Sequence, residues 1–313
     1  MENLRNQDIA DEKEILVVSF GTSFNESRIK TIGAIEDEIE TNFPDYSVRR
    51  AFTSKTILRH LKERYGLDID NTSRALWRAC GCKVKKLVVQ PTYMMGGFEY
   101  NDLIQDINEY LASENIMKAV SSRQIFSKSS VPGDALQYEA NKSCCNIKPE
   151  IRTGKPLLSS DQDFEELVDA ITADTRRFDD RDTAIVFMGH GTQAGADAVY
   201  TKLQEKLSGK GYSNYYIGTV EGSLTISDIL KAAEPGGYKR VVLQPLMIVA
   251  GDHANNDMAG DDADSWKSIF VRAGYNVETV LKGLGEIEAV RRIFIRHVLE
   301  AIENNAIHKG LSH

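Results

Sequence analysis

The sequence predicts an α/β protein of two lobes, each a parallel sheet flanked by helices, on three observations. A chain of 313 residues, 42% of them hydrophobic, has room for about two domains at ~150 residues each. Short apolar runs that end in glycine or polar turns alternate with amphipathic segments, the pattern of parallel strands joined by right-handed crossovers. One stretch also occurs twice. Laying Gln90-Pro91 on Gln244-Pro245 places Gly97 on Gly251, Glu99 on His253 and Asn101 on Asn255. The lobes are expected at residues 1–150 and 151–313, with a cleft between them.

In chain order, Glu14 to Phe20 is an apolar run ending at Gly21-Thr22-Ser23, and Ile32, Ile35, Ile39 and Phe43 follow at helical spacing before Pro44. That is strand, turn and helix. Ser47 to Phe52 is the second strand; Ser54 then caps a helix that buries Ile57, Leu58 and Leu61, and Asn71 caps another through Leu76. Lys86 to Gln90 is the third strand, and Leu103, Ile104, Ile107 and Leu111 form one stripe of a helix from Glu99 to Leu111. From Ser113 to about Arg152 the periodicity fades into serine, asparagine and Pro-Gly composition. This stretch (113–152) is expected to be an insertion or linker, with room for a short helix.

The second lobe repeats the alternation. A helix through Phe164, Leu167, Val168 and Ile171 precedes the strand Ala184 to Met188, the loop Gly189-His190-Gly191-Thr192 and a helix to about Leu207. Tyr215 to Val220 is a strand ending at Glu221-Gly222, Ile226 to Ala233 a helix, and Arg240 to Val249 a strand apolar enough to be covered on both faces. Trp266 to Ala273 reads as helix, Asn276 to Val280 as strand, and Glu286 to Asn304 as a long final helix, free to pack back on the N-terminal lobe.

A formal charge of -8 disfavours a nucleic-acid partner, because phosphate neutralisation calls for a basic face. No run of eighteen apolar residues appears, and Met1 to Lys13 is too polar and acidic for a secretory leader. A soluble, cytoplasmic protein is expected. Cys80, Cys82, Cys144 and Cys145 lack the paired C-x-x-C spacing of a structural zinc site and read as reduced thiols. The chain has no H-E-x-x-H, G-x-x-x-x-G-K-[ST] or G-x-G-x-x-G motif.

The candidate chemistry lies in the second lobe. His190, between two glycines at a strand end, either projects into a ligand site or hydrogen-bonds its own loop. His253 lies at the end of a later strand, where Asp252, Asn255, Asn256 and Asp257 are placed to orient its second ring nitrogen or to make a solvated turn. Glu221 ends the strand between them and, taken by itself, is more readily a cap than a ligand. Two imidazoles and one carboxylate from three strand ends form a divalent-metal constellation with coordination positions left open for exchange. Gly21-Thr22-Ser23-Phe24-Asn25 offers backbone N–H groups and hydroxyls to an anion, or a Ser/Thr N-cap to the helix.

With these residues in view, the chain resembles the anaerobic cobalt chelatases (sirohydrochlorin cobaltochelatases) of the class II chelatase superfamily. The matching pieces are Leu16 to Ser23, Arg50 to Ser54, Val186 to Gly191, Val220-Glu221, Pro245 to Met258, Asp261-Asp262, Asp264 to Trp266 and Gly283 to Glu286. The block around His253 is the most specific of them. The resemblance implies two flavodoxin-like, chelatase-type lobes with an active-site cleft for a tetrapyrrole between them. It implies His190 and His253 as catalytic residues, and His190, Glu221 and His253 as metal ligands. Ser19, Gly21, Thr22, Ser23 and Glu99 are the substrate contacts expected with it, and Tyr93, Met94 and Met95 either flank the macrocycle or pack between the lobes. Co2+ is then the substrate metal and a tetrapyrrole the small-molecule partner, with no organic cofactor and no membrane. A homo-oligomer is compatible with all of this.

The expected reaction inserts Co2+ into sirohydrochlorin, or a close relative, on the oxygen-independent route to cobalamin. Intrinsic affinity favours nickel or copper over cobalt at such ligands, so iron or nickel insertion into the same ring class is the alternative. A non-catalytic metal or tetrapyrrole carrier uses the same ligands, and a bilobed binder of an organic anion uses no metal at all.

Overall fold

The computed structural model describes Arg5 and residues 12–82, 84–123, 149–191 and 197–303. Two four-stranded parallel sheets carry the fold. The first contains β1 (Lys13–Ser19), β2 (Ser47–Phe52), β3 (Lys86–Pro91) and β4 (Glu150–Thr153) in the order β2-β1-β3-β4. The second contains β5 (Thr183–Gly189), β6 (Tyr215–Thr219), β7 (Arg240–Pro245) and β8 (Asn276–Thr279) in the order β6-β5-β7-β8. The same order in both sheets is the structural form of the repeat. Val18 pairs with Pro91 and Met188 with Pro245, so the two Gln-Pro dipeptides hold the same register in their own sheets.

The inner strands are buried after their first residue, and β5 along its whole length, because crossover helices cover parallel sheets on both faces. In the first sheet Leu16, Val18, Ala51, Leu87, Val89 and Ile151 form a core with the helices α4 (Thr72–Gly81) and α5 (Phe98–Arg123). In the second, Val186, Met188, Val241 and Leu243 pack with Met258, Trp266 and Phe270. The expected caps are in place: Ser54 Oγ accepts from Ile57 N ahead of α3 (Lys55–Tyr65), and Asn71 Oδ1 accepts from Arg74 N. Ser160 and Asp163 close a capping box on α6 (Asp161–Thr175).

Three expectations change. The helix expected after Gly21-Thr22-Ser23 is α1 (Asn25–Arg28) followed by α2 (Ala34–Asn42), with a π-helical turn at Ile29–Gly33 between them. The helix expected to stop at Leu111 continues to Arg123. The end of the expected insertion is a strand: β4 extends the first sheet, with Ile151 buried against its core. Strand β4 has only four residues, Glu-Ile-Arg-Thr, and one apolar side chain, too short for a period to show. The rest of that stretch, with Cys144 and Cys145, lies outside the described residues.

The chain divides into two compact units that are not consecutive halves. One comprises Met1–Gly21, Ile39–Lys155 and Arg296–His313, and the other Thr22–Glu38 and Pro156–Ile295. The sequence places the break at 150/151, whereas the units divide at 155/156 and exchange a segment near each end of the chain. Thr22–Glu38 is fixed to the second unit by close packing: a Cβ added to Gly285 would lie 2.9 Å from Thr31 Cα, and Arg291 Nε donates to Glu38 Oε2. From Arg296 onward the last helix (Glu288–Glu303) belongs with the first unit. There Lys155 Nζ pairs with Glu300, and the Arg152 guanidinium donates to the Ala301 and Ile302 carbonyls. Among the described residues no helix is long and apolar enough to cross a membrane.

Candidate metal centre

In the second sheet the first strand, β5, is central, with β6 on one side and β7 on the other, so the connections leave β5 and β7 in opposite directions. Such a reversal leaves a crevice at the carboxyl ends of the strands. His190 follows β5, Glu221 lies just beyond β6, and His253 lies in the segment after β7.

The three loops are tied to one another by backbone contacts. Val220 N donates to Gly189 O at 3.0 Å and Glu221 N to His190 O at 2.8 Å, which continues the β5–β6 pairing past the strands. Gly191, at φ +83°, lies so close to the next loop that a Cβ there would stand 2.4 Å from Gly222 N. Both the left-handed backbone and the close approach call for glycine. Leu246 N donates to Met188 O, and the following turn is strapped from the far side by Leu284 N to Met247 O and Gly285 N to Ile248 O. Gly283 allows this strap, since a Cβ on it would meet Ile248 O at 2.5 Å.

His253 opens a π-helical turn, Ala254–Met258, in which Ala259 N donates to Ala254 O, five residues back. Asn255 Nδ2 donates to the Gly251 and Ala250 carbonyls and pins the start of the turn. Turns of this kind recur at functional sites because the extra residue re-aims the side chains around it.

One ligand atom from each of His190, Glu221 and His253 lies within 4.8 Å of the others, and no other such group of His, Cys, Asp or Glu occurs among the described residues. The two imidazole rings meet edge to face, with centroids 4.7 Å apart and planes at 86°. Each ring is anchored through Nδ1: His190 to its neighbour's carbonyl, Gly191 O, at 2.8 Å, and His253 to Asp257 Oδ2 at 2.6 Å. A carbonyl or carboxylate oxygen accepts from a ring N–H, so both contacts favour the hydrogen on Nδ1, the tautomer whose Nε2 can ligate a metal. First-row divalent ions hold such ligands at ~2.0–2.2 Å, and ligands on opposite sides of one ion stand ~4 Å apart. The exposed Glu221 carboxylate is the third candidate ligand. Three protein ligands leave positions open for exchange or delivery. The hydrogen bond of His190 to its own loop, one of the two sequence alternatives, is made through one ring nitrogen, which leaves the other for a ligand.

The expected substrate contacts are divided between the two compact units. Thr22 and Ser23 belong to the same unit as the histidines, and a Cβ on Gly251 would lie 3.6 Å from Thr22 Oγ1. Thr22 is buried, its hydroxyl accepting from Phe24 N and its carbonyl from the buried Arg28 guanidinium. Neither Thr22 nor Ser23 is the side-chain cap of α1, whose N-cap is Phe24. Ser19, Gly21 and Glu99 fall in the other unit. Ser19 is buried, and its hydroxyl oxygen accepts from Thr92 Oγ1 at 2.7 Å. Gly21, at φ +95°, packs on the Phe52 ring, Glu99 is exposed in the first turn of α5, and Tyr93 is buried with Met94 and Met95 half-buried.

Two features of the site were weak or silent in the sequence. Asp257 stood among four polar neighbours of His253 with nothing to single it out. An i,i+4 spacing is the one signal that favours it. The strap at Gly283–Glu286 was a matched motif without a role, and its glycine pair was the clue to a close backbone approach. Asp264-Ser-Trp266 proves structural: Ser265 caps the helix Trp266–Arg272 and Trp266 lies in the core.

Residues 13–303 match the family Cobalt chelatase (CbiK). The chain belongs to this cobalt chelatase family. It is 32% identical over 291 residues to the sirohydrochlorin cobaltochelatase of Salmonella typhimurium, covering 93% of this chain and 97% of the relative. To the sirohydrochlorin cobaltochelatase CbiKC of Nitratidesulfovibrio vulgaris it is 31% identical, covering 93% and 91%. Its fold is similar to that of SirB from Bacillus subtilis with Fe3+, with a TM-score of 0.58 at 13% identity over 93% of this chain and 96% of SirB. The multi-domain protein DR2241 of Deinococcus radiodurans, described as structurally similar to chelatases, aligns with a TM-score of 0.56 at 13% identity over 94% of this chain and 56% of its own.

Proposed function

We propose that this cobalt chelatase family member is a sirohydrochlorin cobaltochelatase that inserts Co2+ into the free-base ring, with release of two protons, in anaerobic cobalamin biosynthesis. In this reading it works in the cytoplasm with a tetrapyrrole substrate and no organic cofactor. The observation that carries it is the convergence of His190, Glu221 and His253 within 4.8 Å, in a chain alike over 93% of its length to enzymes of that name.

His190 and His253 hold the incoming ion through Nε2, and Glu221 adds a carboxylate that offsets its charge. Insertion requires the two pyrrole N–H protons to leave as the ring nitrogens replace the protein ligands. An imidazole released from the ion is a base suited to neutral pH, so the same two side chains serve first as ligands and then as proton acceptors. Glu221, exposed on its loop, is the ligand freest to detach. Thr22 and Ser23, beside the His253 loop in the same unit, and Ser19, Gly21 and Glu99 of the other unit are the proposed substrate-binding residues.

A spectrophotometric insertion assay with sirohydrochlorin and a panel of Co2+, Fe2+ and Ni2+ tests this. Turnover with Co2+ at saturating ring is expected, with at least ~100-fold loss in His190→Ala and in His253→Ala, the scale of a lost acid–base group. Stoichiometric binding without repeated product release identifies a carrier instead, and faster turnover with Fe2+ or Ni2+ at equal free-ion activity overturns the cobalt assignment.

A further inference from the structure

The two imidazoles of the centre are backed by different groups. His190 Nδ1 meets a backbone carbonyl, Gly191 O, at 2.8 Å, whereas His253 Nδ1 meets a carboxylate, Asp257 Oδ2, at 2.6 Å. From this asymmetry we infer that Asp257 is the positioning residue of the metal centre: it holds the His253 ring in the Nδ1–H form with Nε2 turned to the ion. The inference rests on the reading of His190, Glu221 and His253 as ligands.

The turn is built for this contact. His253 and Asp257 are four apart, His253 at the N-cap of the π-helical turn and Asp257 within it, and the turn's backbone bond runs from Ala259 N to Ala254 O. Asn255, between them, spends its side-chain amide on the Ala250 and Gly251 carbonyls, and Asn256 Nδ2 donates to Asp252 Oδ1. Of the four polar neighbours, Asp257 is the one with a bond to the imidazole. Met258, next in the chain, is fully buried in the core of the second sheet, so the backbone carrying Asp257 is anchored from beneath. A carboxylate behind a metal-bound imidazole fixes its tautomer and ring orientation, and removing it commonly lowers metal affinity 10–100-fold. His190 needs no such partner, since its acceptor is main chain and cannot rotate away.

The test is cobalt(II) binding by calorimetry and by the visible d–d absorption of the bound ion, on full-length protein carrying His253→Ala, Asp257→Ala, Asp257→Asn or Asn256→Ala. Asp257→Ala is expected to weaken Co2+ binding 10–100-fold and to shift the d–d band, with the Co2+ KM for insertion rising more than kcat falls. Asp257→Asn, whose amide oxygen still accepts from Nδ1–H, should recover most of the affinity. Asn256→Ala, which alters the same turn without touching the ring, should bind as wild type does. Affinity in Asp257→Ala within twofold of wild type, or an equal loss in Asn256→Ala, overturns the inference. Unchanged binding in His253→Ala instead sinks the ligand assignment beneath it, so the two failures are distinct.

Discussion

Gly191 shows how much of the centre rests on a single residue that bears no side chain. Its φ of +83° costs an L-residue ~1–2 kcal/mol, and a Cβ would stand 2.4 Å from Gly222 N and 2.9 Å from Thr219 Cβ. Gly191→Ala should therefore lower the thermal midpoint by several degrees and, by pushing the Glu221 loop from His190, weaken Co2+ binding at least tenfold in the same calorimetric titration. A midpoint and affinity equal to wild type would mean that the loops are not held together here. His190 and His253 could be read in the sequence because each is an isolated imidazole at the end of an apolar run. Glu221 could not be separated by itself from an ordinary cap, since a strand-end glutamate looks the same whether or not two imidazoles lie nearby. The surroundings of Ser19 could not be read either, because its hydroxyl partner, Thr92, is 73 residues away in the chain.

At the level of elements, the helices announced themselves through their caps. Ser160 with Asp163 is the clearest case: Asp163 Oδ2 accepts from both Ser159 N and Ser160 N, and its carboxylate is fully buried. Ser160→Ala should cost ~1 kcal/mol and Asp163→Ala about twice that, read by chemical denaturation; equal effects would contradict the buried role of the carboxylate. On β1, Glu14 is buried beside Arg49, with Arg49 Nε at 2.9 Å. Burial pushes its pKa up to about 7 against the opposing pull of Arg49 and Arg78. A raised carboxyl pKa favours the fold fully below ~4.5, and that contribution is lost as pH rises through about 7. Glu14→Gln cannot ionise, so its stability relative to wild type should rise between pH 5 and pH 8 in paired denaturation series. A difference that stays constant over this range, or falls, contradicts the assignment. The elements missed in the sequence were those without a long period, namely β4 with one buried residue and the π-helical turns, whose extra residue per turn leaves no distinct hydrophobic spacing.

Over the whole molecule, the repeat was visible because both Gln-Pro dipeptides occupy the same register in matching sheets. The exchange of segments was not, because nothing in Thr22–Glu38 marks it as belonging to the second unit; its ties to Gly285 and Arg291 are more than 250 residues away in sequence for Glu38 and Arg291. A fragment of residues 151–313 accordingly lacks one wall of its own unit. It should show no cooperative thermal transition by circular dichroism, and a wild-type-like transition would show that the segment is dispensable. The arrangement of β5, β6 and β7 brings three strand-end loops to one place, where metal insertion requires an ion to be held. The most direct measurement is X-ray absorption fine structure of the Co2+-loaded full-length protein. Two imidazole nitrogens and at least one carboxylate oxygen at ~2.0–2.2 Å are expected, with the imidazole scattering gone in the His190→Ala/His253→Ala double variant. A cobalt shell without imidazole, or one unchanged in that variant, would contradict the assignment.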